Sequence, residues 1–249
     1  MTPDGGAVSI PKTDKGEAMV MRDRKVLARI LMLLLIAALS MTTTRAAMAA
    51  AAAPTMSAEQ ALKLLLEGNQ RFVAGKLEHP NQTPARRAEV AKGQHPFASV
   101  LACSDSRTPP EIIFDRGLGD LFTVRVAGNV ADQVVIESLD YSVTHLGVRV
   151  VMVLGHRRCG AVIAAVEGHD VAGEDVGPML SELKPAVAAT RDMPGDPIEN
   201  AVRANVKLVM LNLASSPELR PMVISGELKI VGGIYDLATG TIEMVKVKE

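Results

Sequence analysis

Hydrophobic positions along the chain follow two alternating spacings. Ala61, Leu62, Leu65, Leu66 and Phe72 recur at helical intervals behind Ser57-Ala58-Glu59-Gln60. A Ser followed three positions on by Gln is a capping box. The pattern predicts a helix from Ser57 to about Val73, closed by Gly75. Thr83-Pro84 opens a second helix, with Pro at its first position and Gly93 at its end. Short unbroken apolar runs then take over at Phe97–Ala102 (FASVLA), Leu121–Ala127 (LFTVRVA) and Val148–Leu154 (VRVVMVL). Continuous apolar strands with helices between them are covered on both faces, so they pair in parallel.

The intervening segments read as helices. Asp132 caps Gln133 to about His145, and Gly160 to Val166 follows the third strand. An interrupted helix lies around Met179–Thr190 in a Gly-, Pro- and acid-rich region. Ile198, Val202, Val206, Val209 and Leu213 share one face of a helix over Pro197–Leu213. Ser216-Pro217 starts a short helix ending at Gly226, and Leu228–Val247 gives a pair of strands around an Ala238-Thr239-Gly240 turn. The fold class is therefore α/β, a mostly parallel sheet of about four or five strands flanked by helices.

The N-terminus has a different character. Arg22, Arg24, Lys25 and Arg29 precede an apolar core, Ile30–Met41, and Ala47-Met48-Ala49 is a small-x-small cleavage site. This predicts a secretory signal over 21–49, cut near Ala49, with a polar extension at 1–20 and a linker at 50–56. The apolar core is shorter than the roughly twenty residues of a spanning helix, so no stable membrane anchor is expected after processing. Residues 57–249 then form a single domain, in a periplasmic or secreted protein.

The first 49 residues carry seven Lys/Arg against four Asp/Glu, so a chain at net −1 leaves a body near −4. That charge argues against a nucleic-acid partner, which needs a basic face. There is no Trp, with only four Phe and two Tyr, so stacking platforms for bases are scarce.

The candidate chemistry sits at strand ends. Cys103-Ser104-Asp105-Ser106-Arg107 follows the first strand, and His156-Arg157-Arg158-Cys159-Gly160 follows the third. Carboxyl ends of parallel strands are where such sheets build their sites. Cys103 and Cys159 are the only cysteines. In an exported protein a disulfide is the reading from count and compartment alone. The flanking residues reverse it, because a disulfide needs neither a His three positions before one cysteine nor Asp-x-Arg after the other. Two thiolates and one imidazole instead make a tetrahedral zinc site with one corner free, the ligand number of a catalytic zinc. Zinc lowers the pKa of bound water from 15.7 to roughly 7, giving a hydroxide nucleophile at neutral pH.

Ala102–Arg107 and Gly155–Ala161 resemble the two signatures of the β-class carbonic anhydrases. Between them Glu111–Asp115, Gly119–Phe122, Arg125–Asn129 and Ser138–Tyr141 are similar to that family in order and spacing, and the likeness extends from Glu59 to Gly233–Asp236. The resemblance implies reversible hydration of CO2 to bicarbonate, with one Zn²⁺ per chain on Cys103, His156 and Cys159. It implies an Asp105–Arg107 pair in which Arg107 holds the carboxylate off the metal. It assigns substrate contacts to Gln94 and the Gly160 N–H, and a small apolar pocket to Phe122, Ala127 and Tyr141. It implies a homodimer or homotetramer, with the helix from Ser57 packed over its partner and Gln94, Phe122 or Tyr141 serving the neighbouring zinc. Some bacterial members carry a regulatory bicarbonate site of Trp, Arg and Tyr. Arg125 and Tyr235 match the last two, but Val100 stands where the Trp would be. That departure predicts the open form, with Asp105 off the zinc, at neutral pH. The rival readings are a hydrolase of carbonyl sulfide or carbon disulfide on the same scaffold, and a non-catalytic periplasmic disulfide or zinc-binding module.

Overall fold

The computed structural model describes residues 56–168 and 177–246. Its strands are β1 (Ala98–Ala102), β2 (Leu121–Arg125), β3 (Val150–His156), β4 (Lys229–Tyr235) and β5 (Ile242–Val245). They form one five-stranded sheet in the order β2-β1-β3-β4-β5. The first four strands run parallel, and β5 returns antiparallel to β4. The helices are α1 (Ala58–Val73), α2 (Pro84–Val90), α3 (Pro110–Ile113), α4 (Gln133–Thr144), α5 (Gly160–Glu167), α6 (Pro178–Thr190), α7 (Pro197–Ser215) and α8 (Arg220–Ser225).

The period of two along each strand divides the core between the sheet's faces. Ala98, Val100, Ala102, Val150, Met152 and Leu154 pack with Ala61 and Leu65 of α1 and with Ile113 and Phe114. Leu101, Val151 and Val153 pack on the other face with Val135 and Leu139 of α4 and Val202, Val206 and Val209 of α7. Both faces are covered, so β1 and β3 are buried along their whole length. β2 lies at the sheet edge and is only half-buried.

The capping box forms as expected, with Ser57 Oγ accepting from Gln60 N–H and Gln60 Oε1 accepting from Ser57 N–H. α1 approaches the chain after α3 so closely that a Cβ on Gly68 would lie 1.8 Å from the Phe114 carbonyl oxygen. Asn69 fastens the same contact by donating to the carbonyls of Ile113 and Gly240.

Several boundaries differ from the sequence reading, four of them through identifiable contacts. α2 ends at Val90 rather than Gly93, because Lys92 and Gly93 turn back to Glu89 and Val90 in tight i to i−3 bonds. β2 ends at Arg125, and Ala127–Asn129 forms a 3-10 turn. β3 spans Val150–His156, two residues later than the apolar run, because Gly155 and His156 continue the ladder against Ile234 and Tyr235 of β4. α8 starts at Arg220, since Ser216 is the C-cap of α7 and its hydroxyl donates to the Asp140 carboxylate. The signal, the extension and all of the linker but Met56 lie outside the described residues. Among the described residues no helix is long and apolar enough to cross a membrane.

Candidate metal centre

Cys103 leaves the carboxyl end of β1, and His156 is the last residue of β3. Cys159 is the N-cap of α5. Adjacent strands thus deliver two of the three side chains, and the helix that follows β3 delivers the third. All three are buried. Their ligand atoms lie within 4.8 Å of one another.

The geometry fits a tetrahedral ion. Cys103 Sγ and Cys159 Sγ are 3.9 Å apart. Two thiolates at about 2.3 Å from one tetrahedral zinc stand about 3.8 Å apart. His156 Nδ1 donates to the Arg157 carbonyl at 3.0 Å. That bond leaves the lone pair on Nε2, which is buried and has no hydrogen-bond partner. A buried imidazole nitrogen with no partner, within 4.8 Å of two sulfurs, fits a metal ligand. The two sulfurs are not bonded to one another in this structure.

The surroundings favour thiolates. Cys103 Sγ accepts from Asp105 N–H at 3.4 Å and from Gly128 N–H at 3.3 Å. Gly128 presents that N–H from a left-handed backbone with φ of 70°, and a Cβ there would crowd Leu183 and Ala161. A hydrogen bond from the Cys159 thiol, helped by His156 and these amides, holds the Cys103 thiol well below its ordinary range. The Cys159 thiol moves up in turn, because it shares its proton with Cys103 and is buried. The pair therefore gives up one proton readily, and a bound dication would displace the second.

Asp105 stands at the rim, with Oδ2 3.8 Å from His156 Nε2. Arg107 donates to it from Nε at 2.9 Å, from Nη2 at 2.7 Å and from the backbone N–H at 2.9 Å. The Arg107 guanidinium holds the Asp105 carboxyl far below the usual carboxylate range. Arg125 braces the same loop, donating to the Cys103 carbonyl at 3.1 Å and the Asp105 carbonyl at 2.6 Å.

The comparisons with known proteins agree with this geometry. A family model described as carbonic anhydrase matches residues 98–242. "Carbonic anhydrase 2" of Mycobacterium tuberculosis is 40% identical over 191 residues, 75% of this chain and 92% of that one. The chain belongs to the carbonic anhydrase family. A carbonic anhydrase of Mycolicibacterium smegmatis is 37% identical over 196 residues, covering 77% of this chain and 95% of its own length. The crystal structure of the β-carbonic anhydrase CafA of Aspergillus fumigatus superposes with a TM-score of 0.59 at 29% identity, covering 76% of this chain and 92% of that chain. The family's β class is thus the fold seen here.

The remaining candidate residues divide into two groups. Ala127 opens the 3-10 turn whose Gly128 touches Cys103, and Gly160 is the first residue of α5, directly after Cys159. A Cβ on Gly160 would meet nothing within 4 Å. Gln94, Phe122 and Tyr141 fall elsewhere. Gln94 is exposed on the loop entering β1, and Phe122 pairs with Ser99 near that same amino end. Tyr141, 45% exposed near the end of α4, lies 6.3 Å from Phe122 between ring centroids. The length of β1 separates these three from the metal ligands of their own chain. The bracing Arg125 is a contact that sequence alone did not give, although its place at the end of β2, in register with Ala102, put it beside Cys103.

Proposed function

We propose that this chain hydrates CO2 reversibly to bicarbonate at one zinc ion held by Cys103, His156 and Cys159. The observation that carries the reading is the ligand set itself: two sulfurs 3.9 Å apart around an unpartnered imidazole nitrogen, with the neighbouring carboxylate held aside by Arg107. Zinc held there supplies Lewis acidity that brings the pKa of water from 15.7 to about 7.

The chain's own residues do the rest. Asp105 is ionised at neutral pH and would accept a hydrogen bond from a water beside the metal ligands, orienting it toward substrate. Arg107 competes for both carboxylate oxygens and keeps that corner free. The Gly160 N–H, at the positive end of α5, donates to a substrate oxygen as negative charge develops on it. Ala127 supplies an apolar wall suited to an uncharged substrate.

The split of the candidate residues supports a homodimer. Gln94, Phe122 and Tyr141 of one subunit complete the pocket around the metal of the other, with α1 packed across the partner and a dimer of dimers as the larger assembly. The N-terminal segment 21–49 supports export to the periplasm or beyond. Stopped-flow CO2 hydration by the purified protein, with Cys159→Ala as control, tests the activity. Turnover that depends on Cys159 supports it, and a zinc-loaded protein without CO2 turnover that instead releases sulfide from carbonyl sulfide overturns it.

A further inference from the structure

We propose that Glu199 is a positioning residue for the metal ligands, gripping the peptide between His156 and Cys159. The inference rests on the zinc reading above. Glu199 lies in the first turn of α7, whose N-cap Asp196 accepts from the Ile198 and Glu199 amides. Its two carboxylate oxygens take separate partners on the ligand loop. Oε1 accepts from Arg158 N–H at 3.2 Å, and Oε2 accepts from Arg157 Nη1 at 3.2 Å.

Each contact bears on a ligand. The Arg157 carbonyl is the acceptor that orients His156 through Nδ1. The Arg157 N–H is fixed on the Tyr235 carbonyl at 2.9 Å, so the peptide is tied on both sides. The Arg157 guanidinium also meets Asp236 at 3.1 Å and Glu243 at 3.5 Å, from the β4–β5 turn and β5. Arg158 stands immediately before Cys159 with φ of 52°, a left-handed conformation that a non-glycine residue keeps only when its surroundings impose it. The Glu199 bond to its amide is such a restraint. One carboxylate thus fixes the carbonyl that sets the imidazole's rotation and the turn that sets where Cys159 points. Groups that orient metal ligands typically contribute about 10- to 100-fold in metal affinity.

Zinc affinity by chelator competition, with the visible absorption of the cobalt-substituted protein, tests this on the full chain. The parent, Glu199→Ala, Glu199→Gln and Glu243→Ala are compared, with thermal melting of each metal-free form. Glu199→Ala is expected to weaken zinc by about 10- to 100-fold and to shift the cobalt bands. Glu199→Gln keeps an acceptor for Arg158 and is expected to lose about threefold or more, less than the alanine variant. Glu243→Ala removes the ion pairs to the Arg157 and Arg203 guanidiniums but leaves the backbone of the ligand peptide untouched, and is expected to stay within about twofold. Zinc affinity and cobalt bands unchanged in Glu199→Gln, and in Glu199→Ala where it folds, overturn the proposal even if melting falls. A parent that binds no zinc overturns the metal reading instead.

Discussion

Asp105 Oδ2 lies 3.8 Å from His156 Nε2, yet both of its oxygens are bonded to Arg107. A carboxylate that close to a zinc ligand set is attracted to the open corner, and the bidentate guanidinium is its competitor. Arg107→Ala is expected to free Asp105 to enter that corner. CO2 hydration then falls by about 100-fold while zinc content stays at one per chain. Stopped-flow kinetics beside metal analysis checks this, and parent-like turnover in Arg107→Ala contradicts it.

Metal removal exposes a second chemistry. The two thiols are 3.9 Å apart, and a disulfide needs its sulfurs at about 2.05 Å. The chelated protein is expected to form a Cys103–Cys159 disulfide with a disulfide oxidant, releasing the oxidant's thiols. It then takes up zinc only after reduction. The zinc-loaded protein under the same treatment keeps its activity. Thiol titration and zinc uptake follow both forms.

The proposed division of the pocket between subunits has a direct test. On that proposal Gln94→Leu would remove a donor from the partner's site, and Cys159→Ala would remove the metal from its own. Each variant alone is expected to lose at least about tenfold in activity. A mixed dimer retains one site with its metal and an intact Gln94 across the interface, so co-refolding the two restores activity. A mixture no more active than its components contradicts the shared pocket.

Asp115 ties the loop after α3 to α1. Its buried carboxylate accepts from Arg71 Nε at 2.7 Å and from the amides of Glu78 and His79 at 3.1 and 3.0 Å. Burial alone raises its pKa, but Arg71 and the two amides outweigh burial and hold it below the ordinary value. A depressed folded pKa gives stability that is fully present above the unfolded value of about 3.9 and lost as pH falls through the folded one. Asp115→Asn is expected to cost about 2 kcal/mol at pH 7. The gap from the parent narrows below about pH 4. Urea unfolding across pH measures it, and a gap that does not change with pH contradicts the assignment.

Gly68 is where α1 leaves no room for a side chain against the segment after α3. A Cβ there would meet the Phe114 carbonyl at 1.8 Å, and backbone cannot rotate away as a side chain does. Gly68→Ala is expected to destabilise by about 3 kcal/mol, at the upper end of overpacking costs. Denaturant unfolding reads this directly.

Much of the fold and the metal ligands was legible because each rests on local chemistry. Ser57 and Gln60 announce α1, the apolar runs announce β1 and β3, and Cys103 and His156 stand at their carboxyl ends. The exact reach of β3 was not legible, because Gly155 and His156 join the strand through pairing with β4, far along the chain. Nor was the start of α8, which depends on Ser216 reaching back to Asp140. Glu199 carries no motif in sequence, and Arg125, named there only through the family resemblance, gave no sign of its bracing contacts, since both roles arise only when α7 and β2 arrive beside the ligand loops. Gln94 and Tyr141 could be named from the family resemblance, but their distance from the metal ligands is a property of the folded sheet.

The central claim concerns three side chains sharing one ion with a corner left free. X-ray absorption at the zinc edge of the purified protein tests it most directly. The account predicts two sulfurs at about 2.3 Å, one imidazole nitrogen at about 2.0–2.1 Å and one further light atom from solvent. A zinc shell without two sulfurs, or a protein that holds no zinc, contradicts it.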